Sequence, residues 1–374
     1  EIQNKTTTCT YEFIVHFKNI IALNDKETRV PYKICSFDIE AGSSHGDFPL
    51  PIKTYKKLAV NIVDYFGKLV MEITPSLCKS ILKKIMLSAF EYDKMPEVDI
   101  VYPKRKLTKP EVKTAFEQWI TCKVRDYKSE EVVDKNTIDA IFKSMKSIKD
   151  DDETDVGDDE ADYQLTNYNA AATIVDILCD KTTSRELRIV ELTISFKRYF
   201  PDLKGDPVTF IGSTFLRYGE PEPYLNHCVV LNECDPLANA SIETYNSERE
   251  VLLAWRDLIQ QENPDIIIGY NIFGFDYNFM FQRAKECGCV EEFLQLSRNR
   301  GEICANRNYK TSQLEIEESK ISIASGTHEL YYIKMNGRLQ IDMYNFFRRE
   351  ENLSSYKLDY VSGYFIGDYV KQLT

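Results

Sequence analysis

The chain has 374 residues, enough for more than one ordinary domain or for one domain carrying a large insertion. Its 43% hydrophobic content supplies a real core, and no apolar run is long enough to span a membrane. A net charge of −12 argues against a general nucleic-acid wrapper. Residues 150–162 alone hold nine acids and no base, however, so most of the excess sits in one run.

The ten cysteines are scattered, and the one close pair, Cys287 and Cys289, lacks the spacing or the histidine partners of a zinc site. No signal peptide opens the chain. The expectation is free cysteines in a reducing, intracellular compartment. A start at Glu1 rather than Met suggests a piece of something longer.

In chain order, the alternating run Thr10–Phe17 predicts a strand packed against another domain, with His16 in a structural place. After Pro31 comes Tyr32-Lys-Ile-Cys-Ser-Phe-Asp-Ile-Glu40, a mostly apolar strand ending in two acids one residue apart. Alternation along a strand puts Asp38 and Glu40 on one face, where they repel each other unless a cation lies between them. Hard oxygen ligands of this kind suit Mg²⁺ or Mn²⁺. A half-exposed strand end with two solvated acids carries the same letters, so the pair needs a third carboxylate to mean more. The turn-rich loop Gly42–Pro51 follows, where His45 reads as a solvent-facing loop residue rather than a substrate contact.

From Ile52 the pattern turns helical, with Tyr55, Leu58, Ala59, Ile62 and Val63 on one face. Residues 70–203 read as a mixed, mostly helical insertion. Its helical candidates are Leu77–Phe90, Pro110–Lys123, Val133–Ile148 and Ala170–Cys179, and its acidic run 150–162 reads as a disordered loop. As a Ca²⁺ loop that run fails, because Thr154, Val156 and Tyr163 fall at ligand positions.

The register sharpens at Gly205. Asp206–Tyr218 and Tyr224–Asn232 predict an antiparallel pair around the turn Gly219–Pro223. Ser247-Glu-Arg-Glu250 is a capping box for a helix over Val251–Gln261. Asp265-Ile-Ile-Ile-Gly269 predicts a short strand buried on both faces. It runs into Tyr270–Asp276 and a helix Tyr277–Cys287 stopped by Gly288. Asp276 thus falls at a helix N-terminus beyond a strand end, the rim where ligands bind in open α/β sheets. A plain helix cap would serve that position equally well. With Asp38 and Glu40 in the same sheet, it becomes a third metal-ligating candidate.

Three carboxylates around two divalent ions make a phosphoryl-transfer site. Asn271 and Phe275 flank it and are candidates to contact a terminal nucleotide by hydrogen bond and by stacking, with a core role open for Phe275. Asp342 lies in the apolar run Leu339–Met343, close in sequence to Arg338, Arg348 and Arg349, and reads as a buried or paired structural acid rather than a fifth ligand. Arg348, Arg349 and Lys357 are open to DNA phosphates or to solvent alike.

Phe37-Asp-Ile-Glu40 resembles the first exonuclease motif of family B DNA polymerases, and Tyr270-Asn-Ile-Phe-Gly-Phe-Asp276 resembles the second. Asp206–Arg217, Glu220-Pro-Glu-Pro223, Gly337–Met343 and Ser355-Tyr-Lys-Leu358 are similar, in the same order, to segments of delta-type replicative polymerases. With so large an insertion, the chain also resembles polymerases of large DNA viruses. The resemblance covers residues 1–69 and 205–374.

It implies an α/β fold, a ribonuclease H-like mixed sheet of the DnaQ-like exonuclease kind, with the 3′→5′ proofreading domain formed by residues 31–69 and 204–374. Residues 1–30 would end a preceding polymerase N-terminal domain. It also implies that Asp38, Glu40 and Asp276 bind two Mg²⁺ or Mn²⁺ ions. The implied partners are a single-stranded 3′ end or primer-template, the remainder of the polymerase chain and a sliding-clamp-type processivity factor. The implied compartment is the nucleus or a viral replication compartment, with no membrane. Tyr364-Phe-Ile-Gly-Asp368 fits the family's Tyr-x-x-x-Asp third motif letter for letter. It follows Ser355–Leu358 too closely, and its place matches another family segment. The third motif is therefore expected to be absent and the chain alone weak or inactive. The competing readings are a non-catalytic DNA- or partner-binding module of the same fold and a freestanding repair nuclease.

Overall fold

The computed structural model describes residues 4–28, 30–70, 73–124, 172–323 and 326–367, with side chains described outside 321–328. The predicted helix Val133–Ile148, the acidic run 150–162 and Asp368 lie outside the described residues. The chain divides into two compact units, one formed by 1–51 with 205–374 and the other by 52–204.

The first unit is built on β1 (Lys33–Ala41). Its alternation works as written: Cys35, Phe37 and Ile39 are buried on one face while Asp38 and Glu40 lie on the open one. The chain then passes through the second unit, an assembly of α1 (Lys56–Gly67), α2 (Pro75–Ala89), α3 (Lys109–Ile120), α4 (Ile174–Cys179) and α5 (Arg185–Tyr199). All five predicted apolar positions of α1 are buried. That unit has its own core, in which Trp119 stacks on Phe196 at 4.6 Å and its indole N–H donates to Ser195 Oγ at 2.8 Å. Thr74, Thr108, Thr173 and Ser184 occupy the N-caps of four of its helices.

Back in the first unit come β2 (Val208–Arg217), β3 (Leu225–Leu231) and β4 (Ser241–Tyr245), then α6 (Glu248–Glu262), β5 (Ile266–Gly269), α7 (Asp276–Glu286) and the single-turn α8 (Val290–Phe293). The two-residue strands β6 (Asn306–Arg307) and β7 (Leu314–Glu315) form a small ladder, and β8 (Glu317–Ile323) and β9 (Gly326–Tyr332) a hairpin. β10 (Leu339–Asp342), α9 (Met343–Glu350) and α10 (Leu358–Phe365) close the described chain.

The main sheet has six strands in the order β10-β5-β1-β2-β3-β4. β1 and β10 run parallel to β5, whereas β2 is antiparallel to both β1 and β3 and β4 is parallel to β3. The C-terminal ends of β1, β5 and β10 therefore open on one rim. This is a mixed α/β sheet of the expected exonuclease type. β5 differs in one respect: Ile267 and Gly269 are fully buried, but Ile266 and Ile268 are only half-covered. Against the buried face pack Trp255 of α6 and Tyr277 of α7, with ring centroids 4.9 and 5.6 Å from Phe37.

The predicted strand Thr10–Phe17 does not form. Residues 11–16 are unpaired backbone, followed by a 3₁₀ turn Phe17–Asn19 capped by His16 Nδ1. Tyr11, Phe13, Ile14, Val15 and Phe17 are exposed. Alternation makes a strand only where another strand accepts its hydrogen bonds.

The polypeptide leaves the first unit at Pro51 and re-enters at Gly205, and this neck is clamped. Leu50 and Asp206 exchange two bonds, Leu50 N–H to Asp206 Oδ2 (2.9 Å) and Asp206 N–H to Leu50 O (2.8 Å). Arg283 donates to Pro51 O at 3.1 Å and pairs with Glu248 (2.7 and 2.8 Å) and Glu286 (2.9 Å), and Glu286 accepts from Gly205 N–H. A Cβ on Gly205 would lie 1.9 Å from Pro51 O, so only glycine fits. Arg283 and Glu248 are both buried. Arg283→Met would strand the Glu248 charge and is expected to cost about 3–5 kcal/mol in urea unfolding, with part of that recovered when Glu248→Leu is added. An Arg283→Met change under about 1 kcal/mol would contradict this.

Candidate active site

The rim at the C-terminal ends of β1, β5 and β10 is shaped by a tight turn. Gly269 ends β5 because a Cβ there would meet Ile272 Cγ2 at 2.3 Å and Phe37 O at 3.0 Å. The chain reverses through Tyr270 and Asn271, whose φ of 63° lies in the left-handed region that Asn tolerates better than most residues. Gly274 and Phe275 N–H then donate to Asn271 O at 3.0 and 2.9 Å. Phe275 occupies the helix cap, so Asp276 is not the cap but the first helical residue. Only 2% exposed, its carboxylate turns toward β1, and Oδ1 accepts from Ile39 N–H at 3.3 Å.

Three sequence-predicted acids thereby gather unequally. Asp38 and Asp276 lie close enough to perturb each other's ionisation. Glu40, on the same face of β1, feels the Asp38 charge. Burial pushes the Asp276 carboxyl well above the usual carboxylate range, and the neighbouring Asp38 charge adds to it. Burial raises Asp38 too, offset in part by a hydrogen bond from the Ile39 backbone. Glu40 is lifted by partial burial and then by Asp38. Each carboxyl thus opposes ionisation of the other, and both hold a proton more readily than a free carboxylate does.

Among the described residues, no group of three or more His, Cys, Asp or Glu side chains is drawn together tightly enough to hold a metal ion. The chemistry of the donors is nevertheless that of a hard-cation site. All are carboxylate oxygens, and the conflict that lifts the Asp38–Asp276 pair is one that a divalent ion relieves.

Asp342 is 4% exposed, as a structural acid should be, but its partners are not the arginines expected from their closeness in sequence. Its Oδ1 accepts from the N–H groups of Asn271 (2.9 Å), Tyr344 (2.9 Å) and Asn345 (3.5 Å). Its Oδ2 accepts from Phe273 N–H and Asn345 Nδ2, each at 2.9 Å. Arg338 instead donates to Leu296 O, Pro264 O and Asn263 Oδ1. Arg348 lies over the rings of Tyr344 and Tyr356 and donates to Tyr344 Oη at 2.7 Å, and Arg349 pairs with Glu350. Lys357 caps α10.

Phe275 is half-buried, packed on buried Phe279 at 5.1 Å and met edge-on by Phe48 at 5.5 Å. Phe48, 72% exposed in the loop after β1, was missed by the sequence reading. An apolar residue in a turn-rich loop was its only signal. Tyr270 was missed as well; its hydroxyl donates to Tyr356 O and its ring meets Tyr344 edge-on at 5.7 Å. Tyr364 is exposed and stacks on Tyr360.

Groups whose folded pKa is raised stabilise the fold at low pH and lose that contribution as pH rises through the raised values. Each unit of elevation is worth about 1.4 kcal/mol. In chelator, the melting temperature is therefore expected to fall from about pH 4 to about pH 8, and Asp276→Asn should flatten that fall. An equally steep fall in the variant would refute the paired-carboxyl origin.

Comparison with known proteins gives the same picture. Residues 97–361 match the family model described as DNA polymerase family B, exonuclease domain. The chain is 38% identical over its full length to a DNA polymerase of Phaeocystis pouchetii virus and covers 37% of that protein. It is 30% identical over 99% of its length to a DNA polymerase of Pyramimonas orientalis virus, covering 28% of it. The DNA polymerase delta catalytic subunit of Arabidopsis thaliana is 37% identical over 46% of the chain. The chain thus spans only 37% and 28% of the lengths of these two viral relatives. It belongs to DNA polymerase family B and comprises that family's exonuclease domain.

Proposed function

We propose that this chain is the 3′→5′ proofreading exonuclease portion of a replicative polymerase, hydrolysing 3′-terminal nucleotides of single-stranded DNA. The observation that carries the reading is the buried Asp276 carboxylate turned onto β1 at the strand rim, its Oδ1 accepting from Ile39 N–H between Asp38 and Glu40, which share the open face of that strand. These three would hold two divalent ions, Mg²⁺ or Mn²⁺. Bound there, such ions supply Lewis acidity that activates water and offsets charge on the scissile phosphate.

The chain's own residues do the rest. Ile39 N–H and the burial of Asp276 fix one carboxylate in place. Phe275, backed by Phe279 and flanked by Phe48, offers an aromatic face to the terminal base, and Asn271 a polar contact beside it. Stacking on such faces is worth about 1–3 kcal/mol per base and is blind to sequence, as proofreading requires. The partners on this reading are the primer-template, the rest of the polymerase chain, which would begin to pack through residues 1–30, and a clamp-type processivity factor. The compartment would be the nucleus or a viral replication site.

The test is Mg²⁺-dependent digestion of a 3′-labelled single strand, together with Mn²⁺ titration of the same samples. Asp38→Ala with Glu40→Ala is expected to abolish ion binding and to lower cleavage by at least about a hundredfold. Ion binding that survives the double substitution would overturn the ligand assignment. Ion binding without cleavage, even in a chain extended at its C-terminus, would favour the non-catalytic module. For the chain as it stands, cleavage is expected to be weak for want of the third motif. Strong cleavage lost in Asp368→Ala would make Tyr364–Asp368 that motif after all.

A further inference from the structure

Asp342 makes more hydrogen bonds than a helix cap needs. A capping carboxylate satisfies one or two N–H groups of its own helix, here Tyr344 and Asn345. Asp342 in addition reaches across the strand end. It faces Gly269 in the β10–β5 register and takes the N–H groups of Asn271 and Phe273, one on each oxygen. Those two amides bracket the turn that delivers Asp276 to Ile39. The turn holds a non-glycine residue at φ 63°, a conformation that persists only when its surroundings fix it.

We propose that Asp342 is a positioning residue for the Asp38–Asp276 site: it contacts no reacting atom and acts by pinning the Asn271–Phe273 turn. This deepens the metal-holding reading above and rests on it. A carboxylate is needed because both of its oxygens must accept. In Asp342→Asn the amide nitrogen would face N–H donors on one side, against either the Asn271, Tyr344 and Asn345 backbone N–H groups or the Phe273 N–H and Asn345 Nδ2. In Asp342→Ser the hydroxyl can still cap α9, since Ser is a good cap residue, but it is too short to reach the turn. The two substitutions thus separate capping from pinning.

The test uses the whole chain and two readouts besides activity. Hydrogen–deuterium exchange over residues 269–276 is expected to quicken at least about tenfold in both Asp342→Asn and Asp342→Ser, with β2 and β3 unchanged. Mn²⁺ affinity, measured by titration calorimetry, is expected to weaken by about 10–100-fold in both, the range for residues that orient ligands from behind. Wild-type exchange and affinity in Asp342→Ser would overturn the proposal and leave Asp342 a helix cap. Loss of all Mn²⁺ binding with unchanged exchange at 269–276 would also overturn it, making Asp342 a ligand. A wild-type chain that binds no Mn²⁺ would instead refute the metal-holding reading, while quickened exchange in the variants would still establish the pin. Should Asp342→Asn fail to unfold cooperatively, Asp342→Ser alone decides, because its helix cap is intact.

Discussion

Holding a buried carboxyl group against a second one opposes folding, and the first unit of this protein is arranged around tolerating that opposition. Asp38 arrives on the open face of the central strand β1, and Asp276 arrives from the first turn of α7. Protonation would lower the cost without a cation, and so would a divalent ion. What keeps the two from swinging apart is everything packed behind them. Phe37, Trp255 and Tyr277 fill the covered face of the sheet, and the turn from Gly269 to Phe275 leaves no slack on the other side.

Much of this was legible from local chemistry. Period-two alternation placed Asp38 and Glu40 on one face, and the apolar run before Gly269 placed Asp276 beyond a strand end. The capping box at Ser247 and the antiparallel pair β2–β3 formed as written. These features depend on neighbours within a few residues, which is what pattern can carry. Asp342 depends on amides some seventy positions away, and no spacing rule could assign its partners. Its burial was foreseen, but charge proximity in sequence pointed to arginines that turned out to serve carbonyl groups and aromatic rings. Thr10–Phe17 shows the converse error. The alternation is real, but a strand is a relation between two segments, and the described residues offer no partner.

Aromatic content was equally ambiguous before the fold was known. Among the described residues, several large rings went fully into the two cores, as Trp119, Phe196, Trp255 and Phe293 did. Phe48 and Phe275 are different, because one is exposed and the other is only half-covered beside the acids. Composition cannot distinguish a ring that builds a core from one that waits for a base. Exposure next to a charged rim can.

The clamped neck between Pro51 and Gly205 bears on how such a chain can vary. Because Leu50 and Asp206 already bond to each other, the sheet experiences the long excursion from Ile52 to Lys204 as a single closed loop. The entropy of closing a loop grows only logarithmically, so doubling its length costs about 0.6 kcal/mol. Lengthening, shortening or replacing that excursion would therefore hardly register in the stability of the sheet, provided that Arg283 keeps its acids and its carbonyl. The neck lets one half of the polypeptide drift in size while the strand that carries Asp38 and Glu40 stays where it is.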